Sequence, residues 1–252
     1  MLIHDIARKL VYGVKASSET YIRYLRHLGM VIGRDTVIYA PTKCIIDATR
    51  PWMIEIGDNV QITEGVTILT HGYDWSVFKG KYGDVLGSAG HVRIGDNVFI
   101  GMNSTILKGV TVGNNVVIGA NSVITKDIPS DSLAVGNPAR VIGDIDAYLE
   151  KRRGAQVDEA ADLYDCWRRN SPEGKRGEMP PRELFREFFC LFEEGKPGGL
   201  SCAEYESVMA LCGGYKKSAK RFSETERKFS CYEEFLTFLE RRIAGNGEPV
   251  DA

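Results

Sequence analysis

An aliphatic side chain returns at every sixth residue through the first half of this chain. From Ile32 the beat runs through Ile38, Cys44, Ile56, Ile62 and Ile68, stops, and resumes at Ile94, Ile100, Ile106, Val112, Ile118 and Ile124. The next position is often small, as at Gly33, Gly57, Gly95, Gly101, Gly113 and Gly119. An amphipathic helix repeats at about 3.6 residues and a half-buried strand at about 2.0, so six fits neither. It fits a short strand plus a corner, with one aliphatic residue per unit pointing inward and a Gly or Asn bending the chain onto the next face. Such a period marks a parallel β-helix, whose units bury their apolar side chains by stacking on one another. Only Arg50, beside Pro51, breaks the first block, and Ile32 to Ile56 still reads as four sixes.

Composition narrows the class of partner. At 252 residues the chain has room for one large or two ordinary domains, and 43% apolar with 26% charged residues is ordinary for a globular protein. A net charge of −2 gives no basic excess for nucleic acid. No apolar run approaches the roughly 20 residues of a membrane span. Asp5, Arg8 and Lys9 interrupt any leader-type apolar run. The six cysteines form no C-x-x-C pair, so neither zinc nor redox chemistry is expected, and reduced thiols in a cytoplasmic location are.

Three segments follow. Residues 1–29 read as helical, with Leu2, Ile3, Ile6, Leu10, Val11 and Val14 on one face and Tyr21, Ile22, Leu25 and Leu28 after an interruption at Gly13 and Ser17-Ser18. The reading is a cap over the open end of the solenoid, with a membrane-surface helix as the alternative. Residues 30–143 carry the repeats and a polar, Gly-rich loop at 74–91. Residues 144–252 hold 40 of the 66 charged residues, 18 basic and 22 acidic, and read as a helical domain of unknown function. Helices are expected at Asp146–Arg153 and Val157–Arg169, and from Pro181 through Phe192. Capping-box patterns at Ser201-Cys202-Ala203-Glu204 and Ser223-Glu224-Thr225-Glu226 predict two more, the last ending near Gly245. This tail is expected to cover the open edge of the solenoid, which by the repeat ends at Val141-Ile142.

The units Ile100-Gly101-Met102-Asn103-Ser104-Thr105 and Ile118-Gly119-Ala120-Asn121-Ser122-Val123 resemble those of the hexapeptide-repeat acyltransferases. So does the close, Val123-Ile124-Thr125-Lys126-Asp127-Ile128-Pro129 followed by Gly136-Asn137-Pro138-Ala139-Arg140-Val141-Ile142. The resemblance covers residues 30 to 143 and is nearest to sugar and polysaccharide O-acetyltransferases of the galactoside and maltose type. It implies a left-handed parallel β-helix of triangular section with three hexapeptides per coil; with the helical regions read on either side, the expected fold is mainly β with α, a β-helix carrying an N-terminal helix and a C-terminal helical domain. It also implies a homotrimer with each active site between two subunits, acetyl-CoA as cosubstrate, and no metal.

Acetyl transfer to an alcohol needs a base, and a neutral imidazole supplies one, typically accelerating the step by about 10²- to 10⁴-fold. In this family a His at the corner before an extended loop is that base, and His71 in Thr70-His71-Gly72 matches it. Its orienting partner is left open among Asp74, Glu64 and a backbone carbonyl. His91, at the other end of the loop, reads as structural or lid-forming. The coenzyme positions carried over are Ala120, Thr125, Lys126 and Arg140, the two cations suiting phosphates. Tyr39-Ala40-Pro41-Thr42 stands where galactoside and maltose enzymes carry an Asn, which argues against a simple free sugar. Asp47, Trp52 and Asp74 are the acceptor-binding candidates.

The expected function is acetyl-CoA-dependent O-acetylation of a sugar or glycan intermediate, in surface-polysaccharide biosynthesis. Two alternatives stay open: a serine O-acetyltransferase-like enzyme, whose helical domain would precede the repeats, and a non-catalytic scaffold. A γ-class carbonic anhydrase needs three zinc-binding His, and the repeat region has two.

Overall fold

In the computed structural model the structure describes residues 10–193 and 203–245, and the chain divides into two compact units, Met1–Tyr148 and Leu149–Ala252. The first is a parallel β-helix with three faces. The first face stacks β1 (Val31–Ile32), β4 (Ile54–Ile56), β7 (Val92–Ile94) and β10 (Thr111–Val112). The second stacks β2 (Val37–Ile38), β5 (Gln61–Ile62), β8 (Val98–Ile100) and β11 (Val116–Ile118), then β13 (Ser132–Gly136) and β14 (Ala139–Asp144). The third stacks β3 (Ile45–Ile46), β6 (Thr67–Ile68), β9 (Thr105–Ile106) and β12 (Val123–Ile124).

Aliphatic columns fill the interior. Ile56 pairs with Ile94, Ile62 with Ile100 and Ile68 with Ile106, all at 0 to 3% exposure. Each such side chain contributes about 1.5–3 kcal/mol by leaving water. The corners are built from residues that tolerate a left-handed backbone. Asp35, Asn59, Asn97, Asn115 and Asp131 occupy one corner at φ of 54 to 58°. Their side chains form a ladder, with Asn59, Asn97 and Asn115 each donating to the next at 2.9, 2.9 and 2.7 Å. Glycine follows the inward residue because the coils approach closely: a Cβ on Gly101 would lie 2.5 Å from the Ala120 nitrogen.

Three features depart from the repeat. Ile46, not Cys44, is the register partner of Ile68, while Cys44 is buried two positions earlier. Second, the first coil is longer than the later ones. Asp96 meets its equivalent Asn114 at a separation of 18, whereas Arg34 meets its equivalent Asp58 at a separation of 24. The stretch from Ile32 to Ile56 is therefore one coil with six inserted residues, and the phase survives because the insertion happens to equal one unit. Ile38 to Ile46 is a step of eight and Ile46 to Ile56 a step of ten, so the larger part of the insertion falls at 47–53, with a 3₁₀ turn at Pro51–Met53. The third departure is the close. β14 turns back antiparallel on β13, Val135 opposite Arg140, so the chain's own hairpin covers the edge of the second face. The expectation that Val141-Ile142 leaves this edge bare is corrected by that hairpin.

At the other end α1 (Ser18–His27) closes the first coil. Ser17 and Thr20 cap it reciprocally, and Tyr21, Ile22 and Leu25 join Met30 and Ile32 in the core. The Ser18 hydroxyl accepts from the Ile38 amide at 2.9 Å. The apolar positions Leu2, Ile3 and Ile6 lie outside the described residues.

The second unit is built on α3 (Ile145–Asn170), one continuous helix where two were expected, so Gly154 does not break it. It is followed by α4 (Pro172–Lys175), α5 (Ala203–Ala210), α6 (Tyr215–Glu224) and α7 (Tyr232–Ile243). Its core is aromatic: Phe185, Phe192, Tyr205 and Phe235 are fully buried, with Phe192 stacked on Phe235 at 4.7 Å. The expected helix from Pro181 is instead two 3₁₀ turns, Arg182–Phe185 and Phe189–Leu191. Ser223 and Glu224 end α6 rather than opening a helix. The helix α7 starts later, its Cys231 sulfur accepting from the Glu234 amide. Ser201 and Cys202 lie outside the described residues.

Candidate active site

His71 stands where the repeat stops. It follows β6 by three residues, and the arm behind it, residues 72–90, is closed at its base by antiparallel pairing. His71 opposes Ala89, the Gly72 amide donates to the Ser88 carbonyl at 3.3 Å, and the Gly90 amide to the Thr70 carbonyl at 2.9 Å. The arm is not a plain loop: α2 (Trp75–Tyr82) fills it and ends at Gly83 in the left-handed conformation.

The partner of His71 comes from the insertion in the preceding coil. His71 Nδ1 lies 2.6 Å from Asp47 Oδ2, with side-chain exposures of 14% and 4%. Thr49 turns its amide (3.0 Å) and hydroxyl (2.6 Å) onto Asp47 Oδ1. The Thr70 amide (3.2 Å) and hydroxyl reach Oδ2. Burial opposes the charge on Asp47, but the hydrogen bonds from Thr49 and Thr70 outweigh it and hold the carboxyl well below the usual range. An ionised carboxylate only accepts, so His71 Nδ1 carries a proton, and in the neutral ring Nε2 keeps its lone pair. The insertion and the arm thus meet in one dyad, a buried carboxylate fixing the tautomer of a partly exposed imidazole.

Neither Asp74 nor Glu64 plays that part. Glu64 is paired with Lys43 at 2.5 Å, and Asp74 is exposed on the arm. Asp47, an acceptor-binding candidate by sequence, is buried with both oxygens hydrogen-bonded and lies against His71. Trp52 sits on the same insertion, 68% exposed, and Tyr73 packs edge-on against the His71 ring at 5.1 Å while remaining 67% exposed. The Nε2 of His91 is buried and lies 3.2 Å from Glu55 Oε1 without hydrogen-bond geometry, which gives that residue no visible part in the dyad.

The carried-over coenzyme positions flank the third face. Two residues beyond the paired Ile68, Ile106 and Ile124 come Thr70, Lys108 and Lys126, so Lys126 shares the corner of His71 two coils on, about 10 Å along the axis. Thr125 and Lys126 are exposed, and so is Lys108 between the coils, to which the sequence reading assigns no role. At the opposite corner the exposed Ala120 follows Gly119, which abuts Val135, the partner of Arg140. The four positions therefore form two groups, Thr125 with Lys126 and Ala120 with Arg140, at the two ends of β12.

Residues 91–126 match the model described as the hexapeptide repeat of succinyl-transferase. Over 127 residues the chain is 44% identical to Protein CapG of Staphylococcus aureus, covering 50% of this chain and 73% of that protein. The chain belongs to the hexapeptide-repeat acyltransferase family. Membership gives the β-helix its left hand. Chloroplastic serine acetyltransferase 1 of Arabidopsis thaliana is 43% identical over 117 residues, but these are 46% of this chain and 32% of that one. A maltose O-acetyltransferase structure from Clostridium difficile 630 is 30% identical, covering 56% of this chain and 84% of the other, at a TM-score of 0.37. Among the described residues no group of three His, Cys, Asp or Glu side chains could hold a metal, and no helix is long and apolar enough to cross a membrane.

Proposed function

We propose that this acyltransferase moves the acetyl group of acetyl-CoA to a hydroxyl of a sugar or glycan intermediate in surface-polysaccharide assembly. The observation that carries the reading is the His71–Asp47 dyad at the break of a hexapeptide-repeat solenoid. His71 Nε2 accepts the hydroxyl proton as the acceptor oxygen attacks the thioester carbonyl. The C–O bond forms, the tetrahedral intermediate collapses with loss of the C–S bond, and the imidazolium returns its proton to the leaving thiolate. Asp47 stabilises the imidazolium formed on the way, as a buried carboxylate on the far nitrogen does.

Lys126 and Arg140, with Ala120 and Thr125 beside them, are the proposed coenzyme contacts, and Lys108 adds a third cation on the His71 corner. A homotrimer, in which the two corners of the third face meet a neighbouring subunit, brings these groups to one groove. Trp52 and Tyr73 supply aromatic faces for a pyranose acceptor. The serine acetyltransferases favour a second acceptor class, an amino-acid hydroxyl, at 43% identity over the repeats. Thiol release from acetyl-CoA with hexosamines, nucleotide sugars and L-serine as acceptors separates the two. Turnover with glycans and none with serine supports the proposal, and the reverse refutes it.

A further inference from the structure

The second unit presents a cationic surface that acetyl transfer leaves unused. Lys216, Lys217, Lys220 and Arg221 fall close together on α6 with no acidic residue among them, in a tail whose net balance is acidic. All four are exposed, because α6 turns its opposite side, with Phe222, into the aromatic core. Lys220 reaches Glu224 at 3.8 Å, and no ion pair engages the other three among the described residues. By contrast Arg227, just beyond the helix, is spent on the carbonyls of Glu193, Thr225 and Phe222. Lys216, Lys217 and Arg221 are thus left for a partner.

The turn before the helix adds a second feature. Leu211 is 54% exposed and Tyr215 44% exposed on either side of Cys212-Gly213-Gly214, at the tip joining α5 to α6. Tyr215 keeps its hydroxyl on Glu206 at 3.1 Å, which leaves its ring at the surface. Apolar tips beside lysines suit a lipid interface, where the rings and aliphatics enter the headgroup boundary and the cations meet anionic headgroups. A soluble polyanion would use the cations but gain nothing from Leu211.

We propose that the α5–α6 hairpin docks on an anionic lipid surface, with Leu211 and Tyr215 entering the interface and Lys216, Lys217, Lys220 and Arg221 on the headgroups. An enzyme held there would meet a lipid-linked acceptor in two dimensions rather than three.

The test is co-sedimentation of the full-length chain with two kinds of vesicle, phosphatidylcholine alone and phosphatidylcholine mixed with phosphatidylglycerol. Binding to the anionic vesicles should be at least about tenfold tighter, and should weaken as salt rises. The variant K216Q/K217Q/R221Q should lose that preference while keeping its circular dichroism, melting temperature and acetyl-transfer rate. Leu211→Ser should weaken vesicle binding without changing retention on a heparin column. Equal binding to both vesicles, binding to neither, or binding unaffected by the triple variant would overturn the proposal. Heparin and anionic vesicles bound alike, with Leu211→Ser silent in both, would assign the surface to a soluble polyanion instead.

Discussion

In the later coils a residue meets its equivalent at a separation of 18, as Asp96 meets Asn114, but in the first coil Arg34 meets Asp58 at a separation of 24. Both kinds of coil stack the same aliphatic columns, so their contributions to the core are alike. What differs is the corner between the third and first faces. In the regular coils it is a tight turn carrying Lys108 or Lys126. In the early coils it opens twice, at 47–53 and at 72–90, and Asp47 and His71 stand at the start of these openings, in contact with each other. The regular coils leave little room for a buried carboxylate–imidazole pair, because their inward positions are filled by aliphatic side chains and small hydroxyls such as Ser104 and Ser122. The chemistry had to be placed where the repeat lets go.

That contrast breaks most sharply at His71. His71→Ala should lower kcat by at least about 10²-fold while leaving coenzyme binding and the melting temperature nearly unchanged, since it removes a base on a corner and no core packing. Equal loss of stability and activity would mean that the corner is structural, like those of the later coils.

Ile100→Ala probes the regular coils instead. Ile100 is fully buried between Ile62 and Ile118, so truncation should cost about 2–5 kcal/mol by thermal or denaturant unfolding. The protein that remains folded should turn over normally.

A smaller effect is expected from Lys126→Ala with Arg140→Ala. KM for acetyl-CoA should rise about tenfold with kcat little changed, because phosphate contacts act on ground and transition states alike. An unchanged KM would place the nucleotide elsewhere, with Lys108 the first residue to examine.

The columns Ile56–Ile94 and Ile62–Ile100 and the break before Ile94 were legible because inward positions are spaced by a fixed number of residues. The site was legible only in part. His71 is marked by standing at the break, but Asp47 lies 24 residues upstream, and nothing local pairs the two. The available signal was Arg50-Pro51, the one break in the first block, which an insertion equal to one unit disguised as an intact phase. Cys44 was misread for the same reason, since Ile46 two positions on is the true partner of Ile68. The hairpin Ser132–Asp144 was hidden because its strands are antiparallel and obey no six-residue rule. In the second unit, Pro181 and the run of phenylalanines suggested a helix, but tertiary packing around Phe235 drew the segment into 3₁₀ turns.

In the proposed mechanism Asp47 is the residue by which the inserted corner holds His71 in its working tautomer. Its depressed pKa also links it to stability. An ionised Asp47 stabilises the fold above the ordinary carboxylate value of about 3.9, and that contribution is lost as pH falls through the lower folded value. Asp47→Asn should therefore flatten the acid limb of the stability curve below about pH 4.

The decisive measurement is kcat for Asp47→Asn at neutral pH, taken with the proton spectrum of the His71 ring. A fall of at least about tenfold is expected, with an unchanged KM for acetyl-CoA and loss of the hydrogen-bonded Nδ1 proton signal expected of the wild type. Wild-type turnover in a folded Asp47→Asn protein, with the same His71 tautomer, would contradict the role given to the inserted corner.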